Sequence, residues 1–207
     1  MSKFNPKGFA TQNGLRLEML GKHAYDQIQP GDQPVEVILI ASEWESVSTQ
    51  SYKGKPVRTI GSDSYLSKLG VPTKDLVVAP AFLVKNKKIG VFVAPIKADN
   101  SALTSQLSNA AAWIDAPKVS VTKKSRSSFF VETAGPASKE ELSDPAIIEF
   151  LQREQDGKLN LESVIPLVSN AELLNDPDIV YQLKQKGISI DPAALAEAPA
   201  VNDESAP

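Results

Sequence analysis

The sequence of 207 residues predicts an α+β protein, with a mainly antiparallel β-rich front part and a small helical back part. Runs of β-branched residues bounded by turn residues fill the front, whereas capping motifs and helical spacing follow residue 136. Charge divides at the same point, with 17 Lys+Arg against 11 Asp+Glu through Pro136 and 5 against 14 afterwards. A net charge of −3 therefore hides a basic front and an acidic back.

Three segments of the front part carry the strand prediction. A strand is expected over residues 34–43, and residues 76–84 and 89–96 are expected to pair as an antiparallel hairpin around Lys85-Asn86-Lys87-Lys88. Since proline cannot donate to a ladder, Pro80 and Pro95 should lie at an edge, a bulge or a strand end. Further strands are expected within 15–20 and 46–60 and a short helix at 64–69, although their membership of the same sheet stays open.

A helix and a second hairpin complete the front part. Helical spacing predicts a helix from about Asn100 to Trp113, which Pro117 ends. Residues 118–123 and 127–132 then form a hairpin candidate around a basic turn. The order strand, hairpin, helix, hairpin is typical of an OB-type barrel, which is five-stranded and partly open with its helix between the third and fourth strands.

The back part begins at the breaker-rich stretch 134–137. Ser138 opens a helix with a capping box that continues toward Glu154, and Pro177 opens another toward Gln185. From Pro192 the Ala/Pro-rich sequence cannot bury apolar surface and is predicted to be disordered. The predicted domains are a basic OB-like domain at 1–136, an acidic helical segment at 137–191 and a tail at 192–207.

Several function classes lack the residues they need. Cysteine is absent, the N-terminus has no signal-like apolar stretch, and the longest apolar run is too short for a bilayer, so we expect a cytoplasmic protein without a membrane partner. His23 is the single histidine, and no glycine-rich phosphate motif occurs. The prediction is therefore a protein that is not an enzyme and has no catalytic residue, cofactor or metal site.

Basic segments that include aromatic residues give the positive functional signal. Cations can follow the phosphates of a strand while aromatic rings stack on its bases. The predicted nucleic-acid-binding residues are Trp44, Tyr52, Lys53, Lys55, Arg58, Lys85, Lys87, Lys88, Lys123, Lys124 and Arg126. Lysines in hairpin turns are also common on solvated surfaces, so the pattern alone leaves both interpretations open.

In element order and charge layout, the chain resembles single-stranded DNA-binding proteins that carry an acidic tail. That resemblance implies a tail that competes with DNA for the basic groove and recruits partners. The leading hypothesis is a sequence-tolerant, non-enzymatic single-stranded DNA-binding protein, with a possible protein partner or self-association through the acidic half. The alternative is a structural or assembly subunit, of a virion or a complex, in which basic and acidic halves of neighbouring copies attract.

Overall fold

The structure is a computed structural model that describes residues 25–40, 44–97 and 99–191. The predicted strand at 15–20, His23 and the tail from Pro192 lie outside these residues. The chain forms two compact units that alternate along the sequence. The described residues of unit 1 come from 25–47 and 75–164, and those of unit 2 come from 48–74 and 165–191.

Among the described residues, most regular elements up to residue 136 are strands, and those after it are helices. In chain order the elements are β1 (Asp26–Gln27), β2 (Val35–Leu39), β3 (Glu45–Tyr52), β4 (Lys55–Val57), α1 (Tyr65–Lys68), β5 (Thr73–Leu83), β6 (Lys88–Pro95), α2 (Leu103–Trp113), β7 (Pro117–Lys123), β8 (Phe129–Pro136), α3 (Lys139–Leu142), α4 (Pro145–Gln155), α5 (Asn170–Leu174) and α6 (Pro177–Gln185). Short 3-10 helices cover Gly61–Asp63 and Leu161–Val164.

The sheet confirms the α+β class and its antiparallel character. Its strands run in the order β1-β6-β5-β2-β7-β8, and β3 pairs with both β4 and β5. β1 pairs parallel to β6, whereas β2, β5, β6, β7 and β8 pair antiparallel with their neighbours. The OB-type barrel is not confirmed, because the sheet has eight strands and stays open with β1 and β8 at the ends of its main path.

The predicted hairpin of β5 and β6 is confirmed, from Leu76 opposite Pro95 to Leu83 opposite Lys88. Pro95 ends its strand as expected, while Pro80 lies inside β5. The ladder between β2 and β5 ends at Ala81. Pro80, which has no N–H to donate, lies one residue beyond this ladder and so removes no hydrogen bond from it. The second predicted hairpin is also confirmed, as β7 and β8.

Gly90 allows β1 to lie against β6. It is the partner of Asp26 in the parallel ladder, and a Cβ at this position would lie 2.8 Å from side-chain atoms of both Ile28 and Leu83. Such a separation is shorter than real Cβ contacts, so a larger residue would push the β1 segment away. The close approach holds residues 27–30 beside the end of β6.

The core of unit 1 lies between the sheet and α2. Leu103 and Leu107 of α2 pack against sheet residues such as Phe92 and Val121. Gln106 on the same helix binds the first strand residues of β8, because its Nε2 donates to the Phe129 carbonyl and its Oε1 accepts from the Val131 N–H, both at 2.7 Å. The beginning of β8 is therefore fixed to α2.

The core of unit 2 combines residues that are distant in sequence. Tyr65 and Leu66 of α1 pack with Leu173 of α5 and Leu183 of α6, all of them buried. Hydrogen bonds join the same segments, since the Asn170 side chain accepts from the Tyr65 N–H. The predicted single helix from Ser138 toward Glu154 is instead divided into α3 and α4 in unit 1, while α6 begins at Pro177 as predicted.

Candidate nucleic-acid interface

Two of the three basic segments lie at the same end of the sheet in unit 1. β2 pairs antiparallel with β5 on one side and with β7 on the other, so β5 and β7 run in the same direction. The Val84 N–H donates to the carbonyl of Glu36 at the beginning of β2, and the Lys123 N–H donates to the carbonyl of Gly31, four residues before β2. Two strand spacings, about 10 Å, therefore separate β5 from β7 laterally. Leu83, the last residue of β5, lies level with Val119, and β7 continues to Lys123.

The basic end, our name for this surface, carries six of the predicted residues: Lys85, Lys87, Lys88, Lys123, Lys124 and Arg126. Lys88 forms an ion pair with Asp26. Among the described residues no ion pair involves the other five, and all of these except the half-buried Lys123 are exposed. Asp32 and Glu36 precede or begin β2, and their two negative charges offset part of the positive charge of the six cations.

An exposed aromatic ring lies within this surface. Phe130 on β8 is 50% exposed, and the ammonium group of Lys124 lies 5.6 Å from its ring centroid. Cations at this distance are attracted by the ring face. The β7–β8 hairpin thus presents a cation next to an accessible ring. Single-strand-binding sites combine these two groups, because the cation contacts a phosphate while the ring stacks on a base.

A cavity of about 290 Å³ opens beside the β7–β8 turn. Its walls come from residues 27–30, the end of β6, the beginning of α2 and the turn itself. Lys97, Lys123 and Arg126 contribute three cations, and no acidic residue lines it among the described residues. No local sequence pattern predicted that Lys97, Gln27 and Gln29 would belong to a site, because only the pairing of β1 with β6 and the crossing of α2 bring them to this turn.

The third basic segment belongs to unit 2, and three of its four predicted residues have internal partners. Tyr52 donates a hydrogen bond to the Asp176 carboxylate at 3.0 Å, and Lys53 pairs with the same carboxylate at 3.2 Å. Arg58 is 3% exposed and its Nε donates to the Ile165 carbonyl at 2.8 Å. These contacts assign Tyr52, Lys53 and Arg58 to the stability of unit 2, while Lys55 is exposed.

Electrostatics in unit 2 agree with this assignment. Burial opposes ionisation of Asp176, yet hydrogen bonds from Tyr52, Lys53 and the Asp178 N–H hold the pKa of its carboxyl below the usual value. The hydrogen bond of Lys53 to Asp176 raises the pKa of Lys53, and burial together with a separate hydrogen bond from its own hydroxyl to Asp176 raises the pKa of Tyr52. At neutral pH Asp176 and Lys53 are therefore ionised, while the Tyr52 hydroxyl stays protonated and neutral.

Trp44 directly precedes β3 in unit 1. It is half-buried against the core of unit 1, and its indole N–H finds no acceptor among the described residues. In this arrangement the ring packs against side chains and is not free to stack on a base.

Comparisons with known proteins add no assignment. No protein-family model matches the sequence, and no curated protein or solved structure is significantly similar to it. Among the described residues, no helix is long and apolar enough to cross a membrane, and no three His, Cys, Asp or Glu side chains are grouped as a metal site would need. The geometry of the basic end is therefore the argument available for function.

Proposed function

We propose that this protein binds single-stranded nucleic acid, with little sequence preference, at the basic end of unit 1. One observation carries the proposal: the register of β2 brings the two hairpin turns, with five cations outside described ion pairs, to one end of one sheet. Phosphates neutralised by such cations release condensed counterions, which is the main source of sequence-independent affinity.

The accessible ring of Phe130 favours a single strand over a duplex. Bases in a duplex are stacked on one another, so an exposed ring beside a cation gains little from them. An unpaired base can stack on the ring, a contact worth about 1–3 kcal/mol that any base can make. The proposed site is smaller than the sequence predicted, since it omits Trp44 and the third basic segment.

A matched pair of charge reversals tests the proposal. Lys124→Glu and Lys139→Glu change the net charge equally, and both residues are exposed in unit 1, but Lys139 lies on α3 and not at the basic end. At about 50 mM salt, we expect Lys124→Glu to weaken binding of a fluorescent single-stranded oligonucleotide roughly tenfold, since one neutralised phosphate is lost.

Lys139→Glu should leave the affinity within about twofold, because at this ionic strength a charge away from the site is largely screened. Equal loss in both variants would mean that net charge and not the basic end determines binding. Absence of binding by the unaltered protein at low salt would reject the function.

The assembly alternative is second, because part of the charge it needs is already paired within each unit. Lys53 pairs with Asp176 in unit 2, and Lys118 pairs with Glu141 at 2.7 Å in unit 1. Attraction between copies predicts an oligomer at low salt that dissociates as salt rises. Sedimentation at two salt concentrations distinguishes this from a species whose mass does not change with salt.

A further inference from the structure

The cavity beside the β7–β8 turn has a charged side and an apolar side. Lys97, Lys123 and Arg126 approach it from two different segments of the chain. Ile28, Leu103 and Phe129 form an apolar wall. Pockets that bind small molecules combine such an apolar lining with a few placed polar groups, and about 290 Å³ is at the small end of their range.

The charged side favours an anion. The acidic group nearest to Lys97 in sequence is Asp99, which does not line the cavity. Its carboxylate accepts hydrogen bonds from the Ser101 N–H at 2.9 Å and from the Ser101 hydroxyl at 3.0 Å. Those bonds, with a smaller effect of Lys97, lower the pKa of Asp99. The acidic residue closest to Lys97 in sequence thus already accepts hydrogen bonds from Ser101. Lys123 and Arg126 have no ion pair among the described residues.

Hydrogen bonds hold the backbone of two cavity residues, Lys97 and Phe129. Lys97 is held through its carbonyl, which accepts from the Ser105 hydroxyl at 2.6 Å on α2. Two backbone hydrogen bonds hold Phe129: its carbonyl accepts from Gln106 Nε2, and its N–H donates to the Ser101 carbonyl. Backbone anchors of this kind reduce the entropy lost when a ligand binds. The positive end of the α2 dipole adds to the potential of the three cations.

We propose that this cavity binds one nucleoside monophosphate unit, with its phosphate on Lys97, Lys123 and Arg126 and its base and sugar against the apolar wall. An arginine fork suits phosphate oxygens, and the volume admits one nucleotide and not several. The ligand is either a free mononucleotide or the phosphorylated end of a strand. The inference rests on the proposed function, since Lys123 and Arg126 also belong to the basic end.

The test uses the full chain with dAMP, deoxyadenosine and inorganic phosphate, measured by calorimetric titration. We expect dAMP to bind more tightly than deoxyadenosine or phosphate alone. Lys97→Ala should weaken dAMP about tenfold, whereas Lys139→Ala, an exposed lysine of α3 that lies outside the basic end and does not line the cavity, should not. Lys97→Gln repeats the test with a longer side chain, and thermal unfolding confirms that each variant is folded.

A second arm compares oligonucleotides with a 5′-phosphate, a 3′-phosphate or neither. Tighter binding of one phosphorylated end, lost in Lys97→Ala, identifies a strand end as the ligand; no preference together with dAMP binding identifies a free nucleotide. If dAMP binds no better than deoxyadenosine, or Lys97→Ala has no effect, the cavity proposal is overturned even when strands still bind. Binding of dAMP that depends on Lys97, without strand binding, upholds the cavity site and rejects the strand-binding function.

Discussion

Phe130 gives the basic end an exposed aromatic ring next to Lys124. Phe130 is the second residue of β8, and its ring stays half exposed although a hydrophobic ring is normally buried. Its neighbour Phe129 takes the opposite side of the strand and packs against the core of unit 1. Strand alternation therefore predicts that one of the two rings faces solvent, but the sequence could not decide which one.

Phe130→Ala should weaken binding of single-stranded oligonucleotides by roughly tenfold, because a stacking contact worth about 1–3 kcal/mol is removed. Trp113→Ala is the control, since Trp113 is 89% exposed on α2 and does not belong to the basic end. Fluorescence anisotropy measures both. Equal affinities for Phe130→Ala and the unaltered protein would show that the ring does not contact the strand.

At the scale of elements, local patterns predicted most strands and helices well. The β-branched runs of β5 and β6, the alternation of β7 and the Pro177 beginning of α6 were all readable from neighbours in sequence. Partners that are far apart were not. The two-residue β1, α5 and the burial of Arg58 depend on segments more than 60 residues away, for which local periodicity carries no information.

The close pairing of β1 with β6 makes Gly90 sensitive to substitution. Gly90→Ala should lower the free energy of unfolding by about 1–2 kcal/mol, because the added methyl overpacks against Ile28 and Leu83. Gly31→Ala is the matched control, since a Cβ there meets nothing within 4 Å. Urea unfolding compares the two. A Gly90→Ala protein as stable as the control would show that β1 moves away without cost.

The beginning of α6 links an N-cap to the pH stability of unit 2. The Asp176 side chain accepts from the Asp178 N–H and also holds Tyr52 and Lys53. Because the folded pKa of Asp176 is lowered, its contribution is complete above the unfolded pKa of about 3.9 and is lost as pH falls further, through the folded pKa.

Asp176→Asn keeps a capping oxygen but removes the charge, so the variant should lose less stability than the unaltered protein as pH falls below about 4. Asp176→Ala removes the cap as well and leaves the Tyr52 hydroxyl without its acceptor, so it should cost about 2 kcal/mol at pH 7. Thermal unfolding between neutral and acidic pH measures both. Parallel pH curves for Asp176→Asn and the unaltered protein would contradict the assigned role.

At the scale of the whole molecule, the division of charge along the sequence differs from the division of the chain into units. Unit 2 joins the basic segment 48–74 with the acidic residues 165–191, and its core contains side chains from both. Unit 1 keeps two basic turns together with the acidic helices α3 and α4. The sequence predicted the charges of the candidate site but not their grouping, because grouping depends on strand order and register.

The five cations of the basic end outside described ion pairs set a quantitative expectation for the whole protein. Each single-strand phosphate contact contributes about 0.7 to the slope of log affinity against log salt, so five contacts give a slope of at most about −3.5. Anisotropy titrations over a range of salt concentrations measure this slope. Lys124→Glu should make it shallower by about 0.7, whereas Lys139→Glu should leave it unchanged. Tight binding with a slope near zero would mean that the strand is held by contacts other than these cations, and a slope much steeper than −3.5 would require cations beyond the basic end.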